Sequence, residues 1–225
     1  MSVKPILVVY HCLFQLGNEL LPSAIAIVNE QVGMLNGSGL MNAAQEIIVG
    51  VNGGEEDRLF TDCLFPEKAQ IIFHGAQCRN ECRTIVAMEH WLTTHPDWYV
   101  LYMHTKGAAH PCDLNDRWRR CMCRTCIIRW RECVSALEQG YEAAGVHWAP
   151  SMGVHMDQFY FAGTFFFATS NFLRTLPSIC ERDRIKESGI DSVESRYEAE
   201  VWIGNGPRLP RVKDMDRGHE LMRCP

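Results

Sequence analysis

Apolar residues recur along this chain in short runs that alternate with amphipathic stretches. Residues 5–11 (PILVVYH) form a continuous apolar run with the length of a buried strand, and residues 19–35 carry apolar positions at helical spacing. Further strands are predicted at 46–51, ending in Asn52-Gly53-Gly54, and at 70–74. Residues 79–94 read as a helix closed by His95-Pro96-Asp97, and the strand that follows, 98–103, stops abruptly at His104-Thr105-Lys106-Gly107. The longest helical pattern runs over 115–139, from Asn115 as N-cap to Gly140 as C-cap. Trp118, Met122, Ile127, Trp130, Val134 and Leu137 make its apolar face, with arginines distributed around it.

A short strand near 145–149 and an irregular segment, 151–158, precede the aromatic run 159–169 (FYFAGTFFFAT), which reads as a central strand broken at Gly163. Helices at about 170–176 and 191–201 complete a domain spanning 1–205, and the Gly-, Pro- and charge-rich residues 206–225 read as a loosely packed tail. Alternation of strands and helices predicts an α/β fold, one domain with a mostly parallel central sheet flanked by helices. Such sheets bind ligands beyond the carboxyl ends of their strands. Those ends carry Tyr10-His11, Asn52-Gly53-Gly54, His74-Gly75 and the segment 104–110.

Composition narrows the partners. With 47% hydrophobic and 22% charged residues the chain is globular, and a net charge of −5 argues against general attraction to nucleic acid or to an anionic membrane surface. No apolar stretch reaches the length of a membrane span, and no cleavage site follows the N-terminal run, so a soluble, cytoplasmic protein is expected. Eleven cysteines then read as reduced thiols. The group Cys121, Cys123, Cys126 and Cys133, with Cys112 upstream, suggests zinc, but on a helix Cys121 points away from the others, so structural zinc is disfavoured.

The segment 104–110 is the richest in chemistry. His104, Thr105, Lys106, Gly107 and His110 follow a strongly hydrophobic strand, where a cluster of polar groups calls for a ligand. Lys106 offers a point charge to a phosphate, Gly107 permits close backbone approach, and His104 or His110 could ligate a cation or hydrogen-bond a diphosphate. A polar turn with a surface lysine is the plain alternative.

The run 97–107 (DWYVLYMHTKG), the later 161–168 (FAGTFFFA), Leu173, Leu176 and Pro177, and 196–204 (RYEAEVWIG) together resemble a group of GT-A-type glycosyltransferases. The group includes bacterial polysaccharide enzymes and a chlorella-virus glycosyltransferase domain, and the likeness runs in order over roughly residues 5–205. The resemblance implies a GT-A-like (Rossmann-like) fold and transfer of a sugar from a nucleotide-diphosphate donor to a glycan hydroxyl; inverting displacement is the mechanism expected here. It implies that Tyr10, His11 and Asn52 serve the nucleotide pocket, and that Arg79, Asn80, His104, Thr105, Lys106 and Gly107 serve the donor diphosphate. Glu200 becomes the leading candidate for the base and Asp157 the second, while Gly163, Thr164 and Trp202 become candidates for the sugar and acceptor pocket. Enzymes of this type commonly hold Mn²⁺ or Mg²⁺ on Asp-x-Asp, and this chain has His-Thr-Lys-Gly there. Either Lys106 replaces the cation, or His104 acts as a metal ligand with Asp113 or Asp116. Asp214-Met215-Asp216 spells the pattern inside the expected tail and reads as a chance match. Two other classes remain open: a non-catalytic nucleotide- or sugar-binding module, and another nucleotide-binding transferase. The first strand lacks the Gly-rich turn of a dinucleotide site.

Overall fold

The computed structural model describes residues 4–78, 80–150, 158–193 and 195–215. Its main sheet has seven strands: β1 (Ile6–Leu13), β2 (Glu46–Asn52), β3 (Ala69–Phe73), β4 (Tyr99–His104), β5 (Ala143–Gly145), β6 (Phe166–Thr169) and β7 (Val212–Asp214). They lie in the order β3-β2-β1-β4-β6-β5-β7. β6 runs antiparallel to both of its neighbours and every other pairing is parallel. This is the mostly parallel α/β sheet that the alternation of elements predicts.

The sheet is buried on both faces. Ile6, Val8, Tyr10 and Cys12 of β1 point into a core shared with α1 (Ser23–Gly37), α4 (Asp113–Cys123) and α5 (Trp130–Glu138). Leu7 and Val9 point the other way, against α3 (Cys82–Leu92), the helix Ser170–Leu173 and α6 (Ser195–Val201). His11 follows Leu7 and Val9 in the two-residue alternation of a strand, which brings it to the α3 side.

Four differences from the sequence-based expectations have physical causes. A helix not expected from the pattern, α2 (Glu55–Leu64), starts behind Gly54, whose backbone N–H donates to Asp57 Oδ2 at 2.8 Å. Glu55, Glu56 and Asp57 sit in its first turn, where the helix dipole favours acidic residues. The long helix over 115–139 is interrupted by a π-helical turn, Arg124–Ile128. That turn keeps Cys126 and Ile127 both buried. The aromatic run is broken over residues 162–165, so Phe159–Phe161 leaves the main sheet and pairs with Trp148–Pro150 in a separate two-stranded sheet. Residues 206–215 do not form a loose tail: β7 pairs in parallel with β5, and the Asp214 carboxylate accepts hydrogen bonds from the backbone N–H groups of His147 and Trp148 at 3.2 and 3.3 Å. Arg208 grips Glu142 through two nitrogens, at 2.7 and 2.5 Å.

Close packing of the segment after α6 yields a prediction. A Cβ on Gly204 would lie 1.6 Å from the carbonyl oxygen of Phe159. That oxygen belongs to a strand and cannot turn aside as a flexible side chain would. Gly204→Ala is expected to destabilise the protein by roughly 3 kcal/mol or more, read as a lowered urea midpoint.

Candidate functional site

Strand order reverses between β1 and β4, because β2 and β3 lie on one side of β1 while β4 lies on the other. The carboxyl ends of these two strands therefore open a crevice. A cleft of about 180 Å³ lies there, lined in part by His11, Glu81, His104, Lys106, Arg196 and Glu200. His11 and His104 are register partners across β1 and β4.

Local hydrogen bonds hold these side chains. Thr105 fastens the two strand ends, since its N–H donates to His11 O at 3.1 Å and its hydroxyl accepts from Leu13 N–H at 2.9 Å. Gly107 takes φ +90, so the chain turns sharply after Lys106. Arg119, buried and paired with Glu30 at 3.0 Å and Asp116 at 2.6 Å, donates to Lys106 O at 3.3 Å and pins that turn. Asn52 donates to Cys78 O and Asn80 O at 3.2 and 3.1 Å. Asn80 accepts from Cys82 N–H and donates to Ile190 O and Ser192 O, each at 2.8 Å. This network sets the entry into α3 and places Glu81 in the cleft.

Charge in the cleft is closely balanced and largely buried. His104 Nε2 lies 2.8 Å from Gly163 O, which can only accept, so Nε2 carries the proton. Its Nδ1 faces the Glu81 carboxyl at 3.4 Å. Burial, aided by the Lys106 charge, lowers the His104 pKa to about 4 and leaves the ring neutral. Burial raises Glu81 to about 7 despite Lys106 and Arg196 nearby. Glu200 is likewise raised, by burial and then by the Glu81 charge, against the pull of Lys106, Arg196 and His104. Burial also lowers the Lys106 pKa, opposed by Glu200 and Glu81. The Lys106 ammonium lies over the Trp118 ring, 4.2 Å from its centroid. Arg196 Nε stands 3.9 Å from Glu200 Oε1.

Glu81 has a measurable consequence. The folded protein keeps its proton between pH 4.5 and about 7, where an unfolded glutamate has released it, so this group's contribution to stability falls as pH rises through that window. Glu81→Gln mimics the neutral acid. It is expected to be more stable than the wild type at pH 8 by on the order of 2–3 kcal/mol, and equal to it below pH 4.5, in urea unfolding.

The residues singled out from sequence fall into three groups. His11, Asn80, His104, Thr105, Lys106, Gly107 and Glu200 all line the cleft. Tyr10, Asn52, Gly163, Thr164 and Trp202 lie elsewhere. Tyr10 is fully buried on the opposite face of β1, donating to Gln31 Oε1 at 2.5 Å. Trp202 is buried and donates to Pro177 O at 3.1 Å. Gly163 is tight against α4, where a Cβ would approach Met122 Sδ to 2.5 Å, and Thr164 beside it is buried with φ 58. Asn52 acts on the cleft through the carbonyl oxygens of Cys78 and Asn80. Arg79 and Asp157 lie outside the described residues.

Glu81 and Arg196 were not among the sequence-derived site residues, nor were His74 and Thr84 behind them. Glu81 follows Asn80 at the start of a helix leading from a strand end, and position was its only signal.

Among the described residues no three His, Cys, Asp or Glu side chains converge for a metal. Two of the expected donor groups are engaged elsewhere: His104 Nε2 with Gly163 O, and Asp116 with Arg119. Lys106 and Arg196 bring positive charge to the same cleft. The thiols of Cys123, Cys126 and Cys133 are packed in the core, and Cys112 is exposed on the surface.

Sheet order and cleft define an α/β protein with a mostly parallel sheet and its candidate site at the switch between β1 and β4. The chain belongs to the family described as Domain of unknown function (DUF8361), whose model matches residues 10–213. No curated protein matches it. Among solved structures it is similar to 4-diphosphocytidyl-2C-methyl-D-erythritol synthase from Anaerococcus prevotii, at 10% identity over 95% of this chain and 89% of that one, with TM-score 0.45. It is similar to a Mycobacterium tuberculosis protein solved in complex with manganese, at 11% identity over 95% and 88%, TM-score 0.42. A candidate nucleotide-diphospho-sugar transferase from Desulfovibrio desulfuricans gives 14% identity over 94% and 80%, TM-score 0.39. At these TM-scores the likenesses transfer neither a substrate nor a residue role. Among the described residues no helix is long and apolar enough to cross a membrane.

Proposed function

We propose that this protein is a glycosyltransferase that moves a sugar from a nucleotide-diphosphate donor to a hydroxyl of a glycan acceptor, as in polysaccharide biosynthesis. The observation that carries the reading is Lys106: a mostly buried ammonium at the carboxyl end of a central strand, beside Arg196 and two carboxyls of raised pKa. The His-Thr-Lys-Gly run and the 196–204 segment that resemble bacterial polysaccharide enzymes meet in this cleft, through Lys106 and Glu200.

The chemistry follows from those groups. The acceptor oxygen bonds to the anomeric carbon on the face opposite the leaving group, and the carbon–oxygen bond to the diphosphate breaks. Its electron pair stays on the diphosphate. Lys106 and Arg196 stabilise that charge, at a partly buried site where fixed cations act more strongly than at an exposed surface. The acceptor proton goes to Glu200, whose raised pKa makes it a stronger base than an exposed carboxylate. Glu81 keeps the cleft near neutrality by holding or releasing one proton close to pH 7.

A thermal-shift screen of nucleoside diphosphates and their sugars, run in EDTA, tests the reading. One nucleotide family is expected to raise the midpoint by mass action. No shift with any donor, in EDTA or with Mn²⁺ or Mg²⁺, would contradict it.

A further inference from the structure

Behind the cleft, three side chains from three different elements form a chain that the reaction above does not use. His11 is 1% exposed, its Nδ1 lies 2.8 Å from Thr84 Oγ1 on α3, and Thr84 Oγ1 in turn lies 3.0 Å from His74 Nε2, just past β3. The two rings stack, with centroids 6.4 Å apart. His11 lines the cleft, yet its Nε2 is buried without a hydrogen-bond partner. A buried imidazole nitrogen with no partner costs free energy until a ligand supplies one.

Gly50 makes the arrangement possible. It sits in the middle of β2 as the register partner of His11, where glycine weakens a strand. A Cβ there would lie 2.0 Å from Thr84 Oγ1 and 2.7 Å from His74 Nε2. The strand gives up a side chain at the one place where the chain of hydrogen bonds passes over it.

One hydroxyl between two imidazoles couples their tautomers. Thr84 has a single hydrogen, so it donates to one ring and accepts from the other. If it donates to His11 Nδ1, then His74 Nε2–H donates to Thr84 and His11 presents an N–H to the cleft. In the reverse arrangement His11 presents a bare lone pair. Lys106 and Arg196 draw an oxygen-rich anion into this cleft, and a lone pair would repel such a ligand where an N–H would bind it.

We propose that Thr84 and His74 are positioning residues that fix His11 as its Nε2–H tautomer, and that this N–H donates to an oxygen of the bound nucleotide. The nucleotide half rests on the transferase reading. The tautomer half does not. Burial, with His74 and His104 nearby, keeps His11 neutral, so the tautomer rather than the charge is the variable.

Imidazole ¹⁵N NMR at pH 7 on the full chain tests it. The wild type is expected to show His11 with Nε2 protonated and Nδ1 bare. Thr84→Val is expected to release the ring into a mixture of tautomers, and Thr84→Ser, which keeps the hydroxyl, to restore the wild-type signals. His74→Gln serves as a second probe, because its amide can still donate to Thr84 and should preserve the His11 tautomer. A wild-type His11 protonated at Nδ1, or one whose signals ignore Thr84→Val, overturns the relay. UDP, GDP, CDP and ADP are the ligand probes. The nucleotide that binds is expected to shift the His11 Nε2–H signal and to bind roughly tenfold more weakly to Thr84→Val. Binding with no change at His11 overturns the contact. Failure of all four to bind overturns the transferase reading and the contact together, while the tautomers of the free protein still decide the relay.

Discussion

Lys106→Ala is expected to lower the rate of sugar transfer by about 10²–10³-fold and to weaken nucleoside diphosphate binding by roughly 10- to 100-fold. The ammonium is mostly buried and no second lysine lines the cleft, so water cannot substitute for it as it would at a surface. The fold should survive. The Lys106–Gly107 turn is held by Arg119 through a backbone carbonyl, which the substitution leaves in place. Losing the cation should raise the pKa values of Glu81 and Glu200 further, since Lys106 now lowers both. A variant with full activity would remove the phosphate role.

Glu200→Gln is expected to lower kcat by about 10²–10⁴-fold with little change in the affinity for the donor. The amide cannot take the acceptor proton, but it is isosteric with the acid and disturbs Arg196 only through an ion pair at 3.9 Å. In the wild type, turnover should rise with pH as Glu200 ionises, at a pKa above that of an ordinary glutamate because burial disfavours its charge. That acid limb should vanish in Glu200→Gln. If instead Glu81→Gln abolished turnover and Glu200→Gln did not, the base would be Glu81.

The sequence exposed the cleft unevenly. His104, Lys106 and Glu200 stood out because each is a polar group set against strongly apolar surroundings or in a recognisable run. The strands β1, β2 and β4 were legible for the related reason that buried parallel strands are continuous apolar runs. The interruption of the long helix also left a trace. Its apolar face steps by five from Met122 to Ile127, the spacing of a π-helical turn, where a continuous α-helix steps by three or four.

Other features had no such trace. Tyr10 and His11 are neighbours in one apolar run, and only the alternation of a strand separates a core tyrosine from a cleft histidine. Gly163 looked like an opening for a sugar, whereas its missing side chain makes room for Met122. Thr84 on α3, His74 after β3 and Gly50 in β2 come from separate elements and meet only through sheet order, which single-chain periodicity does not encode. The edge strand Val212–Asp214 is short and charged and has little hydrophobic pattern; it is held by pairing with β5.

Calorimetric titration of the nucleoside diphosphate that stabilises the protein most, performed in EDTA on the wild type and on Lys106→Ala, tests the central claim most directly. The account predicts binding by the wild type without any divalent cation, and affinity at least tenfold lower in the variant. Wild-type binding that requires Mn²⁺ or Mg²⁺, or equal affinity in the two proteins, would contradict the assignment of Lys106 as the charge that holds the donor.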